Sequence, residues 1–168
     1  RDYKGIPEFF ELAKKFKNDN SIKFNLLVDG TLPEINKFLI SKKISDNVKI
    51  IPRTNTPEKY LMECSLLLNL SRTDQWIETF GLTILEAMNF GIPCIVPPIG
   101  GPVEIVDNGV NGFHISSYDI NKISDVIRDL KVDNNKSLKL SKQSKIKSKY
   151  FSKEKFQSHI FDFLEKIK

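Results

Sequence analysis

The sequence predicts an α/β fold in which helices cover a doubly wound parallel sheet. Short apolar segments of strand length alternate with segments whose apolar residues repeat at helical spacing. Strands separated by helices are joined by right-handed crossovers, which build a parallel sheet. The 168 residues match the size of one domain, and no repeat or linker divides them. We therefore expect a single domain over residues 1–168.

Five segments are predicted to be strands. The clearest lies at 24–29, where a buried-strand pattern ends at Gly30. Proline closes two of the others because it cannot donate to a sheet ladder. The predicted strands are 24–29, 48–51, 66–70, 92–96 and 112–115.

Helices are predicted before, between and after these strands. Pro33 and Pro57 suit first helical turns, and Gly91 suits a helix end. Ser152 is a plausible N-cap for the last helix. The predicted helices are 7–17, Pro33 to about Lys43, Thr56 to Met62, 80–90, a short turn from Pro102, 120–130, a weakly amphipathic 134–149, and 156–167.

Composition and charge exclude several classes of protein. With 40% hydrophobic and 28% charged residues, the chain is neither collagen-like nor wholly disordered. Its apolar runs are too short to span a bilayer. The net charge of +5 comes from residues 131–155, which hold nine lysines against Asp133 and Glu154. A single basic segment argues against a nucleic-acid-binding domain.

That basic segment, Lys131–Lys155, has two interpretations. The simpler one is a solvated helix face. The other is a patch that holds the protein peripherally at the inner face of an anionic membrane, near a lipid-linked acceptor. The two cysteines, Cys64 and Cys94, are predicted to be buried free thiols, which suits a reducing cytoplasm. With only two histidines, the chain offers no zinc-ligand spacing.

Ligands of doubly wound sheets bind where strands end at their carboxyl edge. The richest loop there is 71–81, which precedes the helix predicted at 80–90. Thr79 could cap that helix, whose N-terminal amides favour phosphate. Glu78 and Glu86 would lie roughly 12 Å apart along the axis. A glycosidase pair needs roughly 5–9.5 Å, so this spacing suits two groups that grip one elongated ligand.

The same residues carry a resemblance to a known family. The string from Glu78-Thr-Phe-Gly to Glu86-Ala-Met, followed by Gly91-Ile-Pro and Gly100-Gly101-Pro, resembles the group 1 glycosyltransferases. These are retaining nucleotide-sugar enzymes of the GT-B fold with a Glu-x7-Glu pair. Lys4-Gly5 resembles the family's Lys-Gly phosphate motif, so the resemblance extends over the whole chain.

The resemblance implies roles for individual residues. Glu86 would accept hydrogen bonds from the ribose hydroxyls, and Glu78 would lie at the transferred sugar. Lys4 would neutralise charge on the leaving diphosphate, with Arg1 as its partner, although Arg1 lies closer to Lys4 than is usual in the family. The amides of Phe80, Gly81 and Leu82 would add phosphate donors, and the backbone around Arg53 would cradle the base.

Structural interpretations of these residues stay open. Glu78 and Glu86 could be ordinary helix charges, and Lys4 a surface lysine. Arg1 could be a frayed terminus. Gly100-Gly101 could serve only to start the helix at Pro102, and Trp76 could be a hydrophobic lid over the loop.

The resemblance implies the C-terminal, Rossmann-like donor-binding half of a glycosyltransferase. The whole enzyme would move a sugar from a UDP- or GDP-linked donor to a saccharide or lipid-linked hydroxyl, with retention and without a metal or other cofactor. Bacterial polysaccharide or glycolipid synthesis is the expected setting. An N-terminal acceptor domain would be needed, the first strand would be truncated before Arg1, and the chain alone would not transfer sugar.

Two other functions stay open. The first is a non-catalytic nucleotide- or sugar-binding module of the same fold. The second is a relative with another activity, such as a sugar-nucleotide epimerase, which the Glu-x7-Glu context disfavours.

Overall fold

The computed structural model describes residues 2–40, 42 and 44–167. Its strands are all short, and its helices lie before, between and after them. The strands are β1 (Phe24–Val28), β2 (Val48–Pro52), β3 (Leu67–Leu68), β4 (Cys94–Val96) and β5 (Gly112–His114). The helices are α1 (Ile6–Lys15), α2 (Leu32–Leu39), α3 (Glu58–Leu61), α4 (Leu82–Asn89), α5 (Pro102–Ile105), α6 (Ile120–Val132), α7 (Asn134–Ser148) and α8 (Lys153–Lys166), with 3-10 turns at Asp2–Lys4 and Lys149–Phe151.

Every strand pair is parallel, as predicted. β1 pairs with β2, so that Phe24 lies opposite Val48. β4 lies between β3 and β5. Among the described residues, the hydrogen-bonded ladder divides into a two-stranded and a three-stranded parallel sheet.

The division falls between β1 and β3, and apolar packing continues across it. One core cluster joins Phe24 of β1 to Ile95 of β4 beneath α1 and α6. At the end of β3, the Arg72 amide donates to the Tyr3 carbonyl at 2.8 Å. The segment before α1 therefore runs beside β3. A truncated first strand stays a prediction.

Two apolar layers enclose the three-stranded sheet. Ile95 belongs to the cluster beneath α1 and α6, whereas its neighbours Cys94 and Val96 belong to a second cluster with Ile84 and Met88 of α4. Successive side chains of a strand point to opposite faces, so β4 separates the two layers. The packing of Ile84 and Met88 against β4 therefore fixes the position of α4.

Most predicted element positions are confirmed, and a few boundaries differ. α4 begins at Leu82, because Gly81 with φ +102° is its N-cap and no Thr79 side-chain bond caps it. α2 ends at Leu39, and Lys43 lies outside the described residues. Ser152 caps α8 as predicted, accepting from the Lys155 amide.

The two cysteines differ in their burial. Cys94 is fully buried, as predicted, and burial raises the pKa of its thiol. The prediction that Cys64 is buried is only half right, since this free thiol is half-buried beside α3. Burial raises the pKa of Cys64 as well.

The basic segment forms α7 and its flanks. Lys131 and Lys147 bind Asp19 and Asp107, and Lys136 binds Asp129. The Lys131 ammonium lowers the pKa of Asp19 to about 2. The remaining α7 lysines are exposed, on the side away from buried Leu140 and Ser144. Peripheral membrane contact stays a prediction, and no described helix is long and apolar enough to cross a membrane.

Gly5 is the point where the segment before α1 meets β3. Its φ is +78°, and a Cβ there would lie 2.0 Å from the carbonyl oxygen of Leu70. Only glycine permits this approach, because the oxygen is backbone and cannot move aside. Because Lys4 precedes Gly5, the close contact of Gly5 with the Leu70 backbone fixes the position of Lys4.

We predict that Gly5→Ala destabilises the fold by about 3 kcal/mol, since left-handed strain adds to an overpacked contact. The matched control is Gly109→Ala. Gly109 has φ +77° and nothing within 4 Å of its Cβ position, so its strain alone costs about 1 kcal/mol. Urea unfolding measures both changes. Equal losses of unfolding free energy in the two variants would show that a Cβ at residue 5 does not clash with the Leu70 carbonyl.

Candidate functional site

The structure brings Lys4 and Glu78 together from distant parts of the sequence. Lys4 ends the 3-10 turn before α1, and Glu78 lies in the loop between β3 and α4. Lys4 Nζ donates to Glu78 Oε2 at 2.9 Å, and the two side chains are 40% and 21% exposed. A half-exposed pair of this kind is worth little stability, so an anion can replace the carboxylate at small cost.

Trp76 and Tyr3 form an aromatic floor beside this ion pair. Their rings are stacked, with centroids 5.4 Å apart and an interplanar angle of 27°. The Lys4 ammonium lies 4.8 Å from the centroid of the Trp76 ring, within cation–π range. Trp76 therefore holds the cation at the site, beyond the predicted role of a lid.

The N-terminus of α4 follows Glu78 directly. Leu82 is the first helical residue, and Phe80 and Leu82 are both substantially exposed. The positive φ of Gly81 turns the chain into the helix. The amides of a first helical turn attract anions. Of the three predicted donors, only Leu82 lies in that turn, since Gly81 is the N-cap and Phe80 precedes it. Their role as phosphate donors stays a prediction.

Gly100 and Gly101 pack against the backbone of the loop that carries Glu78. The Gly101 amide donates to the Glu78 carbonyl at 2.9 Å. A Cβ at Gly101 would lie 2.1 Å from the Thr79 carbonyl oxygen, and one at Gly100 would lie 2.5 Å from that of Glu78. The glycines do more than start α5, because they let two loops touch through their backbones.

Glu86 and Arg53 complete the described part of the predicted set. Glu86 is exposed on α4, one turn from the start of the helix at Leu82. Arg53 follows β2 and lies 3.6 Å from Asp29, which follows β1, so both are at the carboxyl edge of the sheet. Arg1 lies outside the described residues.

Glu8 and Tyr3 were missed by the sequence reasoning. Glu8 looked like an ordinary first-turn charge of a helix, yet it is buried against Arg72. Tyr3 carries no motif. Both residues contact Arg72 in the loop after β3, and no sequence pattern predicts that tertiary contact.

The site can bind an extended anion. At one end lie the Lys4 ammonium, the stacked rings of Tyr3 and Trp76, and the N-terminus of α4. One turn into α4, the exposed carboxylate of Glu86 can accept hydrogen bonds from hydroxyl groups of the same ligand. Among the described residues, no group of three or more His, Cys, Asp or Glu side chains is placed to hold a metal ion.

The chain belongs to the group 1 glycosyltransferases. The model of that family, described as glycosyl transferases group 1, matches residues 1–147. The family and the parallel α/β architecture together identify a Rossmann-like domain of a GT-B glycosyltransferase.

Two curated relatives illustrate the similarity. A sucrose synthase from Melioribacter roseus is 36% identical over 112 residues, which are 64% of this chain and 14% of that protein. The poly(ribitol-phosphate) alpha-N-acetylglucosaminyltransferase of Staphylococcus aureus is 31% identical over 130 residues, 76% of this chain and 26% of that protein. The chain thus spans about a quarter or less of these relatives.

A solved structure shows the same fold. The crystal structure of Anabaena HepE in complex with UDP matches with a TM-score of 0.83 at 21% identity. The match covers 99% of this chain and 46% of HepE. At this identity the likeness establishes the fold alone.

Proposed function

We propose that this domain binds the nucleotide diphosphate-sugar donor of a retaining glycosyltransferase. The observation that supports this most directly is the Lys4–Glu78 contact beside the N-terminus of α4. This contact joins a cation to a carboxylate a few residues before the start of α4, and that combination supports binding of a charged diphosphate joined to a neutral sugar.

Each residue has one role in this proposal. Lys4 exchanges Glu78 for the diphosphate and stabilises the charge that develops there as the glycosidic bond breaks. The amides at residues 80–82 bind the other phosphate oxygens. Glu86 accepts hydrogen bonds from the ribose hydroxyls, and the backbone around Arg53 cradles the base.

In this proposal, retention follows from attack on the same face of the sugar that the diphosphate leaves. Glu78 positions the sugar and stabilises its developing positive charge without forming a covalent bond. The acceptor hydroxyl attacks on the face that the diphosphate leaves, and the leaving phosphate takes the acceptor proton. Lys4 and the helix N-terminus supply the positive charge that a metal would otherwise provide.

UDP is the donor nucleotide we favour, with GDP as the alternative. HepE, whose fold matches this chain, was crystallised with UDP. The acceptor is proposed to be a saccharide or lipid-linked hydroxyl in bacterial polysaccharide or glycolipid synthesis. A non-catalytic binding module of the same fold is the alternative function.

A second domain is proposed to supply the acceptor site. Along α8, five large apolar side chains at helical spacing are 43–67% exposed: Phe156, Ile160, Phe163, Leu164 and Ile167. The base of α8 lines a groove with Phe80, next to the proposed donor site. Because HepE is about twice as long as this chain, we propose that an N-terminal domain of the same polypeptide covers this face.

We predict that Glu86→Ala weakens UDP binding about ten-fold or more, since hydrogen bonds to a charged acceptor are lost. Calorimetry with UDP- and GDP-sugars measures this. Glu11→Ala is the control, because Glu11 is also an exposed helical glutamate. Absence of binding to any donor would contradict the donor-binding proposal, and equal affinity in the Glu86 variant would refute the ribose role.

We predict that Glu78→Gln in the full-length enzyme lowers kcat about 100-fold with little change in KM, because a charge that acts mainly in the transition state is lost. Radiolabelled sugar transfer measures both constants. The 168-residue chain alone should show no transfer. Unchanged turnover in the variant, or robust transfer by the chain alone, would contradict the proposal.

A further inference from the structure

A buried ion pair outside the predicted site connects the two segments that carry Lys4 and Glu78. Glu8, in the first turn of α1, is only 7% exposed. Arg72 Nε donates to Glu8 Oε1 at 2.9 Å, and Arg72 Nη2 lies 2.7 Å from the same oxygen. This contact raises the pKa of the Arg72 guanidinium, which stays charged.

The pair is not arranged for stability alone. The second carboxylate oxygen, Glu8 Oε2, is buried and has no hydrogen-bond partner among the residues that the structure describes. Leaving such an oxygen unpaired costs free energy. Buried ion pairs are weak contributors to stability, and apolar replacements are often as stable. What the pair provides here is a fixed geometry.

The backbone of Arg72 shows which geometry is fixed. Its amide donates to the Tyr3 carbonyl at 2.8 Å, and its own carbonyl accepts from the Trp76 amide at 2.7 Å. The turn that begins at Arg72 thus places Trp76 against Tyr3 and beneath the Lys4 ammonium. Its side chain ties that turn to α1.

A further contact holds the outer side of the same turn. The Arg72 guanidinium lies 5.8 Å from the ring centroid of Tyr118, whose hydroxyl donates to Asp74 at 2.8 Å. That hydrogen bond to the Asp74 carboxylate raises the pKa of Tyr118, so the hydroxyl stays protonated. Arg72 is therefore braced on two sides, by Glu8 and by Tyr118.

We propose that Glu8 and Arg72 are positioning residues that hold the turn at residues 72–76, and through Trp76 hold Lys4 in place for the donor diphosphate. Neither residue touches the donor. The inference rests on the proposed function for its ligand, whereas the position of Trp76 can be measured without any ligand.

The test replaces both members of the pair in the 168-residue chain. Glu8→Leu with Arg72→Met removes the buried carboxylate and its half-buried partner together, so the fold should remain stable while the tie to α1 is lost. Asp125→Leu with Arg128→Met is the matched control, because it removes an exposed ion pair of α6. Trp76 is the single tryptophan, so its fluorescence reports on this turn alone.

Three quantities are measured: the urea midpoint, acrylamide quenching of Trp76, and UDP affinity by calorimetry. We expect the Glu8/Arg72 double variant to keep a midpoint near that of the unmodified chain, to show at least two-fold stronger quenching, and to bind UDP at least ten-fold more weakly. The control pair should change neither quenching nor affinity.

A folded double variant with unchanged quenching and unchanged UDP affinity would overturn the proposal. If the double variant does not fold, Arg72→Lys is measured instead. It keeps the charge but loses the two-nitrogen grip on Glu8, so stronger quenching is still expected and unchanged quenching overturns the proposal. If the unmodified chain does not bind UDP, the proposed function fails, while the quenching difference still decides the positioning role.

Discussion

The close approach of the segment at residues 3–5 to the end of β3 is the constraint on which the candidate site depends. Gly5 permits it, because any Cβ at that position would collide with the Leu70 carbonyl. The Arg72 amide then bonds to the Tyr3 carbonyl, and the Arg72 side chain to Glu8. Lys4 can reach Glu78 only because these contacts bring two remote segments together. Backbone packing therefore brings the two segments together, and the ion pair between Lys4 and Glu78 depends on that packing.

Electrostatics acts within that frame. In the proposed function, Lys4 and Glu78 neutralise each other before the donor binds, and their partial exposure keeps the free-energy cost of exchanging Glu78 for a diphosphate small. The N-terminus of α4 cannot be displaced in this way, since α4 is anchored by buried Ile84 and Met88. A fixed helix terminus beside a movable lysine suits a reaction in which negative charge grows on the leaving diphosphate.

The sequence predicted most helices and strands, because apolar periodicity and the glycine and proline stops agree with one another. It singled out Lys4 and Glu78 individually through a family resemblance, and it did not predict the contact between them. The division of the sheet could not be predicted, since the sequence of a strand does not determine which neighbouring strand its backbone bonds to. The Glu8–Arg72 tie was equally hidden, because an acidic first-turn residue is normally exposed and only tertiary packing buries this one.

A crystal structure of the chain with UDP tests the central claim most directly. The account predicts a phosphate within hydrogen-bond distance of Lys4 Nζ and of an amide in residues 80–82, with the Lys4–Glu78 contact opened and the ribose hydroxyls at Glu86. UDP bound with its phosphates away from both Lys4 and the start of α4 would contradict it.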